Sequence, residues 1–516
     1  MIPGVAPRLA RNSLYAAVKS ALSLLLLLLV MPYAVGVLGK ELYGIWALAA
    51  VVTAYAQLGD FGIAESVVKY AAEYRARRDG VALNRLVNTA IVSYLALAAA
   101  IGGALWAGLP LIARDLLLIP EPLLGEAVLI FRLAVGIFFV NMVMGVFASL
   151  ILATQQMGYT AVVNVVSALL GALGTVVLLW QGFGLRGLLL THGLVALVAG
   201  VMNLWFARRL FPELSLRPWR WGRVDTFREI VGYSWKAQTS NLAQQLIFQV
   251  DRILLSRYLG LEAVTYYEIG STAALYARTF VVSLFSPMMP AASDLHARGE
   301  RQLLPGLYRR AFKFAVLVAV PCFLLGAGLA YPFVSCWMGA GFELSALTLQ
   351  LLLPVYLLNV LTAPGVFLLN GMGRPELAMK AAVLAGLANL ALCLILVKVF
   401  GYYGLIAGIT LALTISTLYF GVVLHRALPE LSPAIYPATL FKPLFFCVPL
   451  AVILHFQQAL PGTMGLPGLL LLALSAFAIV AVLLFKSNYL DEYERMVLTD
   501  AFGCRRSSLQ PGTGHE

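Results

Sequence analysis

A stripe of polar residues runs along the segment from residue 230 to 259, which is otherwise apolar. At about 100° per residue, one face of a helix carries Ser234, Gln238, Asn241, Gln245, Gln249, Arg252 and Ser256. The amides can hydrogen-bond sugar hydroxyls, and the guanidinium can bind phosphate oxygens. We expect this stripe to line a wet cavity. The alternative is that it hydrogen-bonds to neighbouring helices.

A single arginine near the middle of the next apolar segment is the second candidate. Arg278 shares a helical face with Tyr267 and Ser271. An arginine at the bilayer centre costs roughly 2.5–3.5 kcal/mol on insertion scales, so it rarely faces lipid and often marks a pathway. Because its forked donors match a phosphate, we predict a phosphate contact, with a structural ion pair to Glu268 or Asp251 as the alternative. Weaker candidates for the same contact are Arg252 and Lys19.

Four carboxylates could exchange a proton or bind Na⁺, namely Asp251, Glu268, Asp60 and Glu65. The first two have the better depth for such a role, whereas the other two are expected to cap a helix or pair with Lys69. The five cysteines form no CxxC pair, so we predict neither a metal site nor a cofactor. His192, the only histidine of its apolar segment, is expected to be satisfied by its surroundings.

These candidates lie in a chain whose composition excludes a soluble globular protein. Its 516 residues are 61% hydrophobic and 12% charged, with a mean hydropathy of +0.88, whereas a soluble domain has roughly 25% charged residues. The net charge of +12 could suggest nucleic acid, but the basic residues fall in short clusters between apolar runs. We therefore expect an all-α, polytopic membrane protein with no nucleic-acid partner.

Fourteen apolar runs are long enough to cross a bilayer core, which needs roughly 20 residues per helix. The predicted spans are 14–37, 43–64, 86–108, 125–154, 160–180, 185–206, 230–259, 264–289, 312–337, 344–369, 377–400, 405–424, 440–460 and 466–485. No A-x-A cleavage site follows the first run, so we expect a retained helix. Basic residues gather in every second connection, which predicts that both termini are cytoplasmic.

Two halves of the chain share short segments in the same order. FGLRGLL from Phe183 and FGYYGLI from Phe400 are 217 residues apart, as are LATQQMGYTA from Leu152 and LNGMGRPELA from Leu369. VLGKELYGI from Val37 and YLGLEAVTYYEI from Tyr258 are 221 apart. The shared offset favours a parallel duplication. It predicts a six-helix bundle over 1–206, a cytoplasmic linker over 207–229, a second six-helix bundle over 230–425, a helix pair over 426–486 and a cytoplasmic tail over 487–516.

The chain resembles the polysaccharide-export branch of the multidrug/oligosaccharidyl-lipid/polysaccharide exporter superfamily. Four segments carry the resemblance: LGKELYGIWAL from Leu38, QLGDFGIAESVVKYAAEY from Gln57, VDRILLSRYLG from Val250 and LFSPMMPAASDL from Leu284. The resemblance implies two bundles around a central cavity that opens alternately to the cytoplasm and the periplasm. It also implies that the first, second, seventh and eighth helices form much of that cavity.

The same resemblance implies a flippase of the bacterial inner membrane. Its cargo would be an undecaprenyl-diphosphate-linked oligosaccharide, moved to the periplasmic leaflet for surface polysaccharide biosynthesis. The phosphates would meet Arg278 and Arg252, the sugars would meet the polar stripe, and the polyprenyl tail would stay in lipid. Coupling to H⁺ or Na⁺ stays open, and other polysaccharide-assembly membrane proteins are candidate partners.

Three alternatives remain: a multidrug exporter of the same superfamily, a peptidoglycan-precursor flippase and a membrane glycan polymerase. Multidrug exporters generally have twelve spans and acidic sites, which fits this chain less well. An enzyme is disfavoured because the predicted external connections are short and hold no GxSxG, HExxH or P-loop pattern. We therefore expect a protein without catalytic residues.

Overall fold

The regular elements in the computed structural model are helical throughout its described part, which comprises residues 5–56, 60–217, 225–227, 248–456, 465–487 and 489, with side chains from residue 25. The α-helices are α1 Val5–Ala56, α2 Ile63–Ala76, α3 Gly80–Leu97, α4 Gly103–Leu111, α5 Glu121–Ala153, α6 Met157–Trp180, α7 Gly184–Leu210, α8 Val250–Leu259, α9 Leu261–Ser283, α10 Met288–Ala297, α11 Leu304–Gly328, α12 Ala330–Met338, α13 Glu343–Val360, α14 Ala363–Gly371, α15 Pro375–Ala427, α16 Ile435–Phe456 and α17 Leu466–Lys486. π-Helical turns flank α4.

Within the described ranges, ten helices are long and apolar enough to cross a membrane. Two of them, in α1 and α15, each contain two predicted spans, and the other eight each overlap one. The predicted span over 264–289 corresponds to α9, a 23-residue helix that is not among the ten. Most of the span over 230–259 lies outside the described residues. The all-α membrane fold is therefore confirmed, while the count of fourteen stays a prediction.

The backbone at four glycines reproduces the predicted internal repeat. Gly39, within α1, has φ 78° and ψ 169°, and Gly260, between α8 and α9, has φ 86° and ψ 178°. Gly184 and Gly401 have φ 55° and 56°. Residues with a side chain rarely adopt such positive φ values. The paired glycines thus share a positive φ at the offsets found in the sequence, although the division into two six-helix bundles stays a prediction.

The segment that follows α7 is held in place by two buried asparagines of α3. The Asn84 side chain donates to the Glu213 carbonyl (2.9 Å) and accepts from the Ser215 amide (2.6 Å). One helical turn later, Asn88 donates to the Ser215 carbonyl (2.8 Å) and accepts from the Arg217 amide (2.9 Å). Two side chains therefore satisfy four backbone groups of a segment without regular secondary structure, which fixes the start of the predicted linker against α3.

Helix α9 is packed between helices from both parts of the chain. On one side, the Gly270 backbone lies so close to α13 that a Cβ atom there would be 2.5 Å from the Ser345 carbonyl oxygen. At its other end α9 meets α1, where a Cβ on Gly44 would be 2.4 Å from the Leu261 carbonyl oxygen. Since α9 carries Glu268, Tyr276 and Arg278, these contacts fix the position of the candidate site.

Candidate functional site

An ion pair joins α8 to α9. The Arg252 Nε donates to a carboxylate oxygen of Glu268. Its Nη1 donates to the Phe248 carbonyl (2.7 Å) and to the Gln249 side-chain oxygen (2.8 Å). The second oxygen of Glu268 accepts from the Thr272 hydroxyl (3.1 Å). Both charged side chains are largely buried, with 11% and 17% of the side-chain surface exposed, so each stabilises the other.

A second buried carboxylate lies one residue earlier on α8. Asp251 accepts a hydrogen bond from the Tyr267 hydroxyl (2.7 Å) and another from the Asn389 amide (3.1 Å). The Cys393 thiol donates to the Asn389 side-chain oxygen (3.3 Å) and lies 3.5 Å from the Leu405 carbonyl oxygen. This cluster ties α8, α9 and α15 together. Tyr267, a predicted substrate contact, is used inside it.

Arg278 does not form either of the ion pairs that the sequence left open, because Glu268 is taken by Arg252 and Asp251 by neutral donors. The Nε of Arg278 donates to the Asn359 side-chain oxygen (2.8 Å). The guanidinium also lies over the Phe248 ring, 5.1 Å from its centroid. The side chain is half-buried. Its Nη groups have no hydrogen-bond partner in the described part of the chain.

The remaining predicted residues are placed as follows. Ser271 is buried, and its hydroxyl lies 3.4 Å from the Glu268 carbonyl oxygen. Asp60 accepts a hydrogen bond from the Tyr94 hydroxyl, and Glu65 is exposed. The predictions on Gln238, Asn241, Gln245 and the Lys19 side chain fall outside the described residues. The polar stripe therefore stays a prediction over most of its length.

Two cavities that the sequence did not indicate lie beside the Trp46 and His192 rings, whose centroids are 4.8 Å apart in an edge-to-face arrangement. The larger, of about 370 Å³, is lined by α1, α6, α7 and Tyr276 of α9. The smaller, of about 170 Å³, is lined by α1, α5 and α7. We call the pair the Trp46 cavities. Among described residues His192 makes no hydrogen bond, contrary to the expectation that its surroundings satisfy it.

Sequence reasoning missed these cavities because their walls come from distant parts of the chain. Residues 26–46, 167–175 and 188–195 belong to three helices, with Tyr276 added from a fourth. No periodicity within one helix brings them together. The available signal was the presence of polar residues, Ser167, Thr175 and His192, in spans that are mostly apolar.

Hydrogen bonds between the two parts of the chain cluster near Lys40. The Lys40 ammonium donates to the Tyr266 hydroxyl (2.6 Å) and the Gly341 carbonyl (3.3 Å), and it lies over the Phe342 ring (5.2 Å). The Thr265 hydroxyl donates a hydrogen bond to the Lys40 carbonyl (2.6 Å). These contacts join the turn in α1 to the start of α9 and to the α12–α13 connection.

A second group of bonds reinforces this junction. The Ser256 hydroxyl donates to the Leu117 carbonyl (2.6 Å), and Arg257 donates to the Asp115 carbonyl (2.6 Å). The Trp337 indole donates to the Leu28 carbonyl (2.8 Å). The predicted topology puts the connections that hold residues 40, 117, 260 and 341 on one side of the membrane. We call this junction the closed end.

A sequence model of the family described as polysaccharide biosynthesis protein matches residues 9–296, and a MatE model matches residues 238–395. The chain is 23% identical over 391 residues to the uncharacterised membrane protein EpsK of Bacillus subtilis, covering 73% of this chain and 74% of that protein.

Two solved structures are similar in fold. The lipid II flippase MurJ in an inward closed conformation gives a TM-score of 0.71 at 11% identity, covering 93% of this chain and 99% of that chain. An inward-facing multidrug transporter of the MATE family gives 0.66 at 14% identity, covering 80% and 94%. At these identities the likeness shows the fold alone, and both folds are those of membrane transporters.

Removing one partner of the buried ion pair should destabilise the protein strongly. Glu268→Gln leaves the Arg252 charge buried without a carboxylate, so we expect a loss of about 3–5 kcal/mol and a lower melting temperature in detergent. The double variant Arg252→Met with Glu268→Gln should recover most of this loss. Glu262→Gln, an exposed position on the same helix, is the control. A melting temperature for Glu268→Gln equal to that of this control would contradict the assignment.

Weakening the contacts of Lys40 should open the closed end. Lys40→Met removes two hydrogen bonds and the contacts of the ammonium with Tyr266 and Phe342. We expect longer distances between spin labels at Gln181 and Tyr403, measured by pulsed electron paramagnetic resonance. Lys398→Met, which removes an exposed lysine over the Tyr258 ring, is the matched control. Unchanged distances in Lys40→Met would show that these contacts do not hold the two parts together.

Proposed function

Because the chain belongs to the polysaccharide biosynthesis protein family, we propose that it is a flippase for lipid-linked oligosaccharide. The cargo is a glycan on undecaprenyl diphosphate, and it moves from the cytoplasmic to the periplasmic leaflet of the bacterial inner membrane. The polyprenyl tail stays in lipid while the headgroup passes through the protein. Movement of the two parts of the chain about α9 exposes the headgroup first to one side and then to the other.

The observation that carries this proposal is the state of Arg278. Among the described residues its guanidinium bonds only a neutral amide, through Nε, and no carboxylate neutralises it. A positive charge in that state at membrane depth is costly unless an anion or water meets it. The diphosphate of the cargo supplies such an anion, and the Nη groups, which bond to none of the described residues, supply the donors for it.

We propose for Arg252 a positioning role in place of the phosphate contact that the sequence suggests. Its Nε and Nη1 are engaged by Glu268, Gln249 and the Phe248 carbonyl. The same helix segment therefore holds Phe248 beneath Arg278. We assign Arg252 to the positioning of this wall, and Arg278 alone to the phosphate.

The direction of access follows from the Lys/Arg distribution. The basic connections are assigned to the cytoplasm, so the closed end lies on the periplasmic side and both termini are cytoplasmic. A headgroup would then enter from the cytoplasm. Release to the periplasm requires the contacts of Lys40, Ser256 and Arg257 to break.

Asp251 is the carboxylate best suited to ion coupling. It is 2% exposed, and its hydrogen-bond donors are the neutral Tyr267 and Asn389 groups, whereas Glu268 is paired with Arg252. A proton or Na⁺ could therefore bind Asp251 without displacing a salt bridge. Asp251 lies on α8 and accepts hydrogen bonds from Tyr267 of α9 and Asn389 of α15. Binding of an ion there would therefore change the contacts among these three helices.

Replacing Arg278 should abolish export without unfolding the protein. Arg278→Ala removes the phosphate donors, so cells should lose surface polysaccharide by at least about tenfold and accumulate its lipid-linked precursor. Arg278→Lys, which keeps charge but not the fork, should retain partial export. Arg309→Ala, at an exposed arginine, is the control.

Membrane levels of each variant would be measured in the same cells. Full export by Arg278→Ala at a normal protein level would contradict the proposal. Arrest of growth without loss of surface polysaccharide would instead favour the peptidoglycan-precursor flippase.

Asp251→Asn should remove the dependence of transport on an ion gradient. The asparagine amide cannot take up a proton at the pH of a transport assay, and it binds Na⁺ weakly. Its size is nearly that of the carboxylate. We expect glycolipid translocation in proteoliposomes that no longer responds to imposed pH or Na⁺ gradients. The matched control is Glu376→Gln, at an exposed carboxylate in the first turn of α15. A wild-type gradient response in Asp251→Asn would exclude this residue from coupling.

A further inference from the structure

The Trp46 cavities are lined by polar groups that lack partners. The larger one is bordered by Tyr43, Trp46, Ser167, Thr175, His192 and Tyr276. Across the described ranges, none of these six side chains makes a hydrogen bond. On the wall of the smaller cavity, Asn141 is in the same state. Such groups on several helices are therefore directed at shared space and not at each other.

At membrane depth such a set of polar groups needs an occupant, which is either water or a polar ligand. A polar group left unsatisfied among hydrocarbon and apolar side chains is costly, and helices normally satisfy it with protein, water or ligand. The groups include donors and acceptors: hydroxyls, an indole N–H and an imidazole with one of each when neutral. The occupant must therefore offer both donors and acceptors over several positions.

The lack of charged side chains on the described walls further restricts what kind of molecule could occupy the cavities. Among the residues whose side chains the structure describes, no Lys, Arg, Asp or Glu lines either cavity. A phosphate would find no cation there, and a cationic drug would find no carboxylate. The apolar faces of Trp46, Leu27 and Met31 complete the lining. A neutral ring with apolar C–H faces and hydroxyl edges matches walls of this kind, and the larger volume is within the roughly 300–1,000 Å³ of small-ligand sites.

We propose that the Trp46 cavities are a sugar subsite, in which one neutral sugar of the cargo lies against Trp46 and hydrogen-bonds to His192, Ser167, Thr175 and Tyr276. This inference rests on the proposed flippase function and adds the place of the glycan to it. Tyr276 and Arg278 are two residues apart on α9, about 3 Å along its axis. Around the helix the two side chains are about 200° apart, so the sugar and the phosphate would lie at a similar depth on opposite sides of α9.

The test is a binding measurement on the full-length protein in lipid nanodiscs. The two probes are undecaprenyl diphosphate without sugar and the lipid-linked glycan that accumulates in cells lacking the protein. Trp46→Ala and Thr175→Val, which removes a hydroxyl at almost constant volume, should each weaken binding of the glycan-bearing lipid by about tenfold. Binding of the bare diphosphate lipid should be unchanged. Trp180→Ala, at a tryptophan that is 79% exposed, is the matched control.

Each outcome separates the subsite from the function on which it rests. If the wild type binds the glycan-bearing lipid and both variants bind it equally well, the cavities hold only water and the subsite is overturned. If the variants weaken both lipids alike, their effect is structural and the subsite is again overturned. If the wild type binds neither lipid, the flippase function fails and the subsite fails with it.

Discussion

The requirement that every buried charge and polar group be satisfied controls this fold, since hydrocarbon offers neither hydrogen bonds nor counterions. Most of the polar groups in α8 and α9 are satisfied by hydrogen bonds or ion pairs inside the protein. Arg252 is paired with Glu268, and Asp251 accepts from two neutral donors. Arg278 is satisfied only in part, by one hydrogen bond to the Asn359 side chain. The two arginines therefore differ: Arg252 is paired with a carboxylate, whereas among the described residues Arg278 bonds only to a neutral amide.

The molecule divides its polar chemistry between two regions. Charged residues lie on α8 and α9 of the C-terminal part, whereas the walls of the Trp46 cavities are neutral. A cargo with an anionic diphosphate and neutral sugars has the same division. At the closed end, hydrogen bonds join the two parts of the chain through carbonyl groups and flexible side chains. Such bonds can break and reform without leaving a charge buried.

Sequence patterns predicted the features that depend on one helix at a time. Hydropathy gave the positions of most spans, and the repeated FG and LG segments marked turns whose glycines have matching backbone angles at 184 and 401. The depth of Arg278 marked it as unusual. The spans and turns could be predicted because hydropathy and turn chemistry are local properties, whereas the role of Arg278 stays a prediction.

Features that depend on the packing of several helices could not be predicted in this way. The partner of Glu268 is Arg252, on an adjacent helix 16 residues earlier, and the spacing alone did not distinguish it from Arg278. Trp46 and His192 meet across 146 residues of sequence. The hydrogen bonds from Asn84 and Asn88 to the start of the linker likewise join residues that are far apart in sequence. In each case the deciding fact is which helix faces which.

We propose that Arg278 meets the phosphates of a lipid-linked glycan within the membrane. This proposal is tested most directly by an experimental structure of the protein in nanodiscs with its glycolipid bound. We predict diphosphate density within about 3 Å of the Arg278 Nη atoms. Diphosphate bound elsewhere, with the Arg278 guanidinium enclosed by protein on all sides, would contradict it.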